Sequence, residues 1–388
     1  MSTERYKALG VSADKEDVHR AIRNLDQGLY PRAFCKVLPD WVAGDEDWVN
    51  LIHADTAGTK TSLAYLFWRE TGDVSVWRSI AQDALVMNLD DLACVGCLRD
   101  IVVSSTIGRN RHLIPGEVVE AIIEGNTAFI EAMRRCGIRI HAGGGETADV
   151  GDIVRTVDVG ITAFARMPKS DLLVNSIKPG QVIVGLSSSG KTTYEPTYNS
   201  GIGSNGLTAA RHDLLKKQYA EFGETYAPQT SKDQVYTGPF SLSDTIEAAP
   251  DGMTLGQLLL SPTRTYLPVL QELFRSYRKG IYGIIHCTGG GQTKVQKFIG
   301  NVAVVKDALF EPPPVFQLLM RHSLCSPREL YQVYNMGHRM ELYVDEGSVS
   351  GICEVAAQFS LEAKRIGFVD ESAAPKVIVR SNLGEFEY

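Results

Sequence analysis

Three consecutive glycines followed by a carboxylate are the residues of this chain that most directly suggest chemistry. The apolar segment 138–142 leads into Gly143, Gly144 and Gly145, and Glu146 comes next. Consecutive glycines leave backbone N–H groups open to a ligand, which is a common way to bind phosphate oxygens. A carboxylate beside them can hold Mg²⁺ against the same oxygens. The pattern predicts a phosphate-binding turn at the end of a strand.

Two other segments repeat this arrangement. The sequence Asp-Thr-Ala-Gly-Thr-Lys at 55–60 follows the strand-like residues 49–53, and Thr-Gly-Gly-Gly at 288–291 follows the apolar residues 282–285. One glycine-rich turn is weak evidence, whereas three turns at strand ends indicate an enzyme that binds a nucleotide or a phosphate ester.

Alternating helices and strands must position these turns. Ile80, Ala84, Met87 and Asp91 fall at helical spacing within 76–93, so one apolar helix face ends in the carboxylate of Asp91. Other helices are predicted over 116–137, 262–277 and 348–365, and other strands over 157–167, 181–186, 302–305 and 376–380. Residues 219–250 have no clear period and are expected to form a loop or insertion.

A polar break at 168–171 divides the chain into two predicted α/β domains, residues 1–170 and 171–388, with the ligand between them. Of the 388 residues, 44% are hydrophobic and 22% charged, which is ordinary for a globular protein. The net charge of −7 does not favour nucleic acid as a partner. No run of about 18 apolar residues indicates a membrane span. Residues 1–7 lack an apolar signal region, and seven scattered cysteines suit a reducing compartment, so we expect a cytoplasmic protein.

Residues 185–192 match the nucleotide-binding pattern G-x-x-x-x-G-K-[ST] in full. That motif requires a helix that begins at the lysine, so that its N-terminus faces the phosphates. Here Pro196 and the glycines at 201, 203 and 206 follow Lys191, and they prevent a stable helix before about Leu207. The segment is therefore not expected to act as a P-loop.

In order along the chain, the motifs resemble those of the phosphoribosylformylglycinamidine cyclo-ligase (aminoimidazole ribonucleotide synthetase) family. The resemblance covers most of the chain and rests on Tyr6-Lys7 with Gly10-Val11, the 55–60 segment, Met87–Leu92, Gly144–Ala148, Ser188–Gly190, Ser204–Gly206, Leu260–Tyr266 and His286–Gly291.

The resemblance implies an enzyme of purine biosynthesis that uses ATP to close the ring of formylglycinamidine ribonucleotide. ATP phosphorylates the amide oxygen, a neighbouring nitrogen attacks the activated carbon, and phosphate departs. The implied fold has two α/β domains, with the N-terminal sheets of two subunits joined across a two-fold axis to give a homodimer. ATP and substrate would lie in the cleft between the domains.

The resemblance also assigns roles to individual residues. Asp55, Asp91 and Glu146 would hold Mg²⁺, and His286 would contact the substrate or move a proton. Lys60 would contact the phosphates of ATP, together with Gly58, Thr59 and the glycines Gly143, Gly144 and Gly145. The substrate would be held by Ser188, Ser189, Gly190, Ser204, Asn205, Gly206, Thr288, Gly289 and Gly290.

The chain departs from the family pattern in four places. Thr56 and Ala57 replace Gly and Val, and Asp90 replaces the Asn before Asp91. The thirteen residues 191–203 stand where the family has two, and we expect them to form a mobile substrate loop. A glycine-rich N-terminal segment is not evident between Gly28 and Trp48. Two alternatives therefore stay open: another ATP-using enzyme of the superfamily, such as a thiamine-monophosphate kinase, or a non-catalytic nucleotide-binding relative.

Overall fold

A computed structural model of the chain describes residues 5–12 and 16–388. Of the N-terminal residues 1–7, which were expected to lack a signal region, the first four therefore lie outside the described structure. Within the described residues the chain forms two mixed sheets with helices packed on them. The strands are β1 Val37–Pro39, β2 Trp48–Thr56, β3 Ile101–Arg109, β4 Ile140–Asp149, β5 Val157–Pro168, β6 Val182–Ser187, β7 Ile281–His286, β8 Val302–Lys306, β9 His338–Val344, β10 Ala363–Glu371, β11 Lys376–Ser381 and β12 Gly384–Glu387. The helices are α1 Arg5–Ala8, α2 Glu16–Ile22, α3 Lys60–Thr71, α4 Val76–Ala93, α5 Gly116–Arg135, α6 Leu207–Leu214, α7 Leu255–Leu259, α8 Leu267–Tyr277, α9 Pro314–His322, α10 Pro327–Val333 and α11 Val349–Gln358.

The first sheet has the strand order β1-β2-β5-β3-β4 and packs one face against α4 and α5. Along β5 the odd-numbered residues are buried against the helices, while the even-numbered ones face the opposite side and are only partly covered. On that open face Ile52, Phe164 and Val102 lie side by side on neighbouring strands. Ile52 is 54% exposed and Val102 is 40% exposed, so this face carries an uncovered apolar row.

Strand β4 forms the outer edge of this sheet, and it contains the three glycines predicted to form a turn. That local prediction is wrong, because residues 140–149 form one strand paired in parallel with β3, with an irregularity in the register at Gly143 and Gly144. Gly145 lies so close to β3 that an added Cβ would sit 2.4 Å from Ser105 Oγ. Glycine is therefore needed here for the approach of two strands. Residues 141–147 are exposed.

The second sheet has the order β12-β11-β8-β10-β6-β9-β7 and begins fourteen residues after β5 ends, at Val182. The predicted boundary at 170/171 lies in this connection. The predicted helix over 348–365 ends instead at Gln358, near Ser360, whose φ is 56°. The next residues form β10, which pairs with both β6 and β8 at the centre of the sheet. Tertiary pairing thus outweighs the local helical pattern.

The helix predicted over 262–277 starts only at Leu267, because residues 262–266 are not helical and instead bond to α4. The predicted helix over 76–93 and the predicted strands near 157–167 and 376–380 are confirmed. The first helix after residue 191 is α6, which begins at Leu207. No described helix begins at Lys191, as a P-loop would need. None of the described helices combines the length and the apolar character that crossing a bilayer requires.

Candidate active site

The segment 55–60 connects β2 to α3, and its end forms the N-terminus of a twelve-residue helix. Thr59 is the N-cap residue, and its Oγ1 lies 3.0 Å from Oγ1 of Thr208 on α6. A cleft of about 400 Å³ opens here, lined among others by Gly58, Thr59, Thr61, Ser62, Arg155 and Thr208. A helix N-terminus offers unpaired N–H groups and a partial positive charge, both of which suit phosphate. The predicted ATP residues Gly58 and Thr59 thus line a cleft where the two halves of the chain meet.

The side chain of Lys60 is fully buried and points away from this cleft. Its Nζ lies 2.8 Å from Oδ1 of Asp83 on α4 and donates to the carbonyl oxygen of Ser261 at 2.5 Å. The same carboxylate oxygen accepts from the N–H and the hydroxyl of Thr263, at 2.7 and 2.5 Å. Burial lowers the pKa of Lys60, and Asp83 offsets only part of that effect. As placed, Lys60 fastens α3 to α4 and to the segment before α8, and its predicted phosphate contact stays a prediction.

Asp91, at the end of the apolar face of α4, accepts from two histidines. His286 Nδ1, from β7, lies 2.7 Å from one carboxylate oxygen, and His53 Nε2, from β2, lies 3.3 Å from the other. Burial alone would raise the pKa of Asp91, but the two imidazoles outweigh it and hold the pKa well below its usual range. The structure thus brings together Asp91 and His286, two predicted site residues that are far apart in sequence.

The contacts of both ring nitrogens of His53 influence its protonation. Its Nδ1 lies 2.9 Å from Oδ1 of Asn88, whose amide nitrogen donates to the carbonyl of Ala84. Nδ1 must therefore donate, and Nε2 must also donate if Asp91 is ionised. An ionised Asp91 therefore favours the imidazolium form of His53. Burial lowers its pKa, yet the bond to Asp91 and the nearby charges more than offset this and leave the pKa raised.

Several buried polar atoms around Asp91 and Lys60 have no hydrogen-bond partner within the described residues. They are His286 Nε2, Asp83 Oδ2, Asn205 Nδ2, and Nε and Nη1 of Arg339. Arg339 is 2% exposed, and its guanidinium lies 5.6 Å from the ring centroid of Tyr266 and donates to the carbonyl oxygen of Arg264. Leaving such groups buried without partners is costly unless a ligand or water satisfies them. We define these four residues together with Lys60 and Asp91 as the polar junction between the halves.

Of the residues predicted to bind substrate, Ser204 lies at this junction, with its hydroxyl 3.1 Å from that of Thr263. Ser188 is buried and donates to Asn335, and the carbonyls of Ser189 and Gly190 accept from Arg264 at 2.8 Å. Thr288 is buried beside His286, and Gly289 and Gly290, half-buried, adopt φ values of 56° and 135° that favour glycine. The turn predicted at 288–291 is therefore present.

The segment 191–203 is packed into the protein. Glu195 forms an ion pair with the buried Arg264 at 2.6 Å. Asn199 donates to the carbonyl of Pro262 at 2.7 Å, and Ser200 donates to that of Leu258 at 2.6 Å. This anchoring contradicts the expectation of a mobile substrate loop.

Glu146 does not approach the other two predicted metal ligands within one chain. The strand register places it in a row with Thr106, Gly160 and Thr56, three strands and about 14 Å from β2. Asp55, next to Thr56, points to the opposite, helix-covered face. The group of acidic, histidine or cysteine side chains that is compact enough to hold an ion in the described residues is instead Cys287, His338 and Glu341. There Glu341 is already paired with the buried Lys306.

Comparison with known proteins places these features in a family. Residues 35–167 match the description "AIR synthase related protein, N-terminal domain", and residues 178–380 match the corresponding C-terminal domain. The chain belongs to the AIR synthase-related family. The predicted recognition and the two-domain fold class are confirmed.

Two curated relatives named phosphoribosylformylglycinamidine cyclo-ligase show the extent of the similarity. The protein from Methanocaldococcus jannaschii is 26% identical over 328 residues, covering 84% of this chain and 79% of the relative. The one from Staphylococcus carnosus is 26% identical over 331 residues, covering 84% of this chain and 81% of the relative.

Among solved structures, Thermotoga maritima PurL complexed with ADP has a TM-score of 0.55 at 15% identity, covering 98% of this chain and 50% of PurL. PurL complexed with FGAR has a TM-score of 0.51 at 17% identity, covering 88% of this chain and 45% of PurL. The chain thus spans about half of each PurL chain, and at this identity the likeness concerns the fold.

The motifs did not reveal Arg339, Asp83 or His53. Asp83 and Asp90 are seven residues apart on α4, so they lie on one face of a helix that is otherwise largely apolar. That spacing could have identified both as buried carboxylates. Asp90 is buried and accepts from the hydroxyl of Thr265 at 2.6 Å and from the N–H of Tyr266 at 3.0 Å. Nothing local distinguishes Arg339, because its side chain packs against Gly203, Arg264 and Tyr266, which are distant in sequence.

Proposed function

We propose that the protein closes the ring of formylglycinamidine ribonucleotide with ATP in purine biosynthesis. The observation that carries the proposal is the 2.7 Å contact between Asp91 and His286, which joins two family motifs from separate halves at a buried polar junction. Relatives that align with most of this chain are named for the same reaction, and this also supports the proposal.

In the proposed reaction, ATP phosphorylates the amide oxygen of the substrate, the amidine nitrogen attacks the activated carbon, and phosphate leaves with that oxygen. Gly58, Thr59 and the first turn of α3 would bind the phosphates of ATP through N–H and hydroxyl donors. His286 would take the proton that the attacking nitrogen loses. Asp91 holds its Nδ1, which leaves Nε2 as the atom that faces the reaction.

The three predicted Mg²⁺ ligands of one chain do not fit a single ion. Both oxygens of Asp91 accept from imidazoles, and Glu146 lies across the sheet from Asp55. No step is therefore assigned to a metal held by these three carboxylates. The proposed requirement for Mg²⁺ is that of the Mg–ATP substrate, since the ion readily bridges phosphate oxygens.

The proposed division of labour follows the two domains. Residues 1–170 would bind ATP and form a homodimer, and residues 171–388 would supply most of the substrate contacts. The apolar row of Ile52, Phe164 and Val102 and the exposed edge strand β4 support dimerisation, because both would be costly to leave uncovered. The proposal includes a cytoplasmic location for this pathway.

The test is an ADP-release assay with Mg–ATP and one candidate substrate at a time. Stoichiometric ADP and aminoimidazole ribonucleotide, formed only with formylglycinamidine ribonucleotide, are expected. ADP release with thiamine monophosphate instead would move the assignment to a kinase. Nucleotide binding without turnover on either substrate would identify a non-catalytic relative.

A further inference from the structure

A second cavity lies at the boundary between the halves, away from the polar junction. Its volume is about 470 Å³, larger than that of the cleft at the start of α3. Residues from the loop after α4, the start of β4, the connection between the two sheets, and the end of α8 line it. None of the residues to which the family motifs assign a role is among them.

Four guanidinium groups face this cavity, and one carboxylate does. The arginines are Arg99, Arg139, Arg275 and Arg278, and the carboxylate is Asp171. In a chain with a net charge of −7, this is a local excess of positive charge on a concave surface. Arginine forks match the geometry of phosphate oxygens and bind them with two parallel hydrogen bonds.

Two of the four arginines already have close partners. Arg139 makes two bonds of 2.6 Å to Asp100, and Arg275 lies 2.7 Å from Glu272. Neither carboxylate lines the cavity. In both pairs the carboxylate holds the arginine side chain in place and neutralises part of its positive charge. Only the remaining part of that charge is left to attract a ligand.

The other two arginines lack a close counter-ion in the part of the chain that the structure describes. Arg99 is 3.9 Å from the nearest oxygen of Asp171, and Arg278 donates to the backbone carbonyl of Leu172 at 2.8 Å with no carboxylate within 4.0 Å. Arg278 is partly buried against the ring of Phe274, and burial lowers its pKa. Asp171 is the carboxylate whose charge reaches Arg278, but it makes no ion pair with it within 4.0 Å, so this partly buried cation gains from an incoming anion.

One further atom points to the nature of the ligand. Oε1 of Gln271, which also lines the cavity, is buried and accepts no hydrogen bond from the described residues. It would accept from a hydroxyl or amino group of the same molecule whose phosphates meet the arginines. A phosphate whose oxygens are held by the arginines leaves this acceptor for a second group, and the sugar or base of a nucleotide carries such a donor.

We propose that this arginine-lined cavity binds a nucleoside phosphate, with Arg99 and Arg278 on its phosphate groups and Gln271 accepting a hydrogen bond from its sugar or base. The site is independent of the proposed activity. It lies where the connection between the two sheets meets α8, so an occupied site would tie the two halves together.

The experiment is equilibrium dialysis of radiolabelled ATP against three forms of the full-length protein. They are the wild type, R99Q/R278Q, and R365Q/R380Q, which removes two exposed arginines from surface pairs elsewhere. We expect the first double variant to lose one ATP per chain, or to bind it at least about tenfold more weakly, and the control to match the wild type. Urea unfolding of all three verifies the fold.

The outcomes separate this inference from the proposed function. If the α3 cleft does not bind ATP, the wild type binds one ATP per chain and R99Q/R278Q binds none. If R99Q/R278Q binds ATP with wild-type stoichiometry and affinity, the cavity is not a nucleotide site. Equal losses in both double variants would reveal a general charge effect and would also overturn the inference. A Q271A variant should weaken ATP binding at this site and leave pyrophosphate binding there unchanged.

Discussion

Asp91 accepts hydrogen bonds from one imidazole of each half of the chain. His53 lies on β2 and His286 on β7, so one carboxylate orients two rings that the fold brings together. The two rings differ in what remains free. Both nitrogens of His53 are bonded, whereas Nε2 of His286 has no partner in the described structure. His286 is thus the ring suited to proton transfer, and His53 the one suited to fixing Asp91.

Changing His286 to Asn should lower kcat by about 10² to 10⁴-fold, because it removes the group proposed to take the proton. The KM for ATP should change little, since the α3 cleft is separate. Steady-state ADP release measures both constants. An H112N variant, which changes an exposed histidine, is the control. Wild-type kcat in H286N would show that His286 moves no proton.

The His53–Asp91 pair should make stability depend on pH. The raised pKa of His53 means that its contribution is complete below its unfolded value of about 6.5 and is lost as pH rises through its folded pKa. The lowered pKa of Asp91 means that its contribution is present above about 3.9 and is lost as pH falls. Urea unfolding of wild type and H53N should therefore differ most between about pH 4.5 and 6. A difference that grows above pH 7 would contradict this protonation.

Arg339 is expected to bind an anionic group of the ligand with Nε and Nη1. Lysine keeps the charge but offers no planar fork, so R339K should lose about ten- to a hundredfold in kcat/KM. Measuring KM for ATP and for the second substrate separately identifies which ligand carries that group. If R339K differs only in its unfolding midpoint and has normal kinetics, Arg339 is structural.

At the scale of elements, the segment 191–203 is held by one buried ion pair. Removing the charge of Glu195 leaves the fully buried guanidinium of Arg264 without a counter-ion, because backbone carbonyls and the glutamine amide oxygen are neutral acceptors. E195Q should destabilise the protein by about 3 kcal/mol, measured by urea unfolding. E272Q, which breaks an exposed pair with Arg275, should change it by less than about 1 kcal/mol. Similar values for the two variants would show that Glu195 does not anchor the segment.

What the sequence could predict depends on where each element takes its stability from. The helix that ends at Asp91 was predictable because its apolar face is local, and so was the absence of a helix after Lys191. The glycines of β4 and the strand β10 were mispredicted because each depends on a neighbouring strand that is distant in sequence. In the sequence Gly145 is typical of a turn, and only the structure shows that Ser105 lies beside it. Glu146 was predicted to share a metal with Asp55, but the strand register places the two residues of one chain on opposite faces of the sheet.

At the scale of the whole molecule, the open face of the first sheet is the proposed dimer interface. V102E would bury a charge in that interface and should give a monomer by light scattering at concentrations where the wild type is a dimer. I153E is the matched control, because Ile153 is 82% exposed and lies outside the strands of this sheet. If V102E has the mass of the wild type, the subunits join elsewhere.

The bonds of Lys60 to Asp83 and Ser261, and of Thr263 to Asp83, constrain how the protein can be produced. Asp90 and Asp91 likewise take their partners from residues 265, 266 and 286. A fragment that ends between the two sheets would keep Asp83, Asp90 and Asp91 and lose the hydrogen-bond donors that residues 263, 265, 266 and 286 supply to them. Each half, expressed separately, should therefore be unstable in solution, and the two should fold only when synthesised together or on one polypeptide.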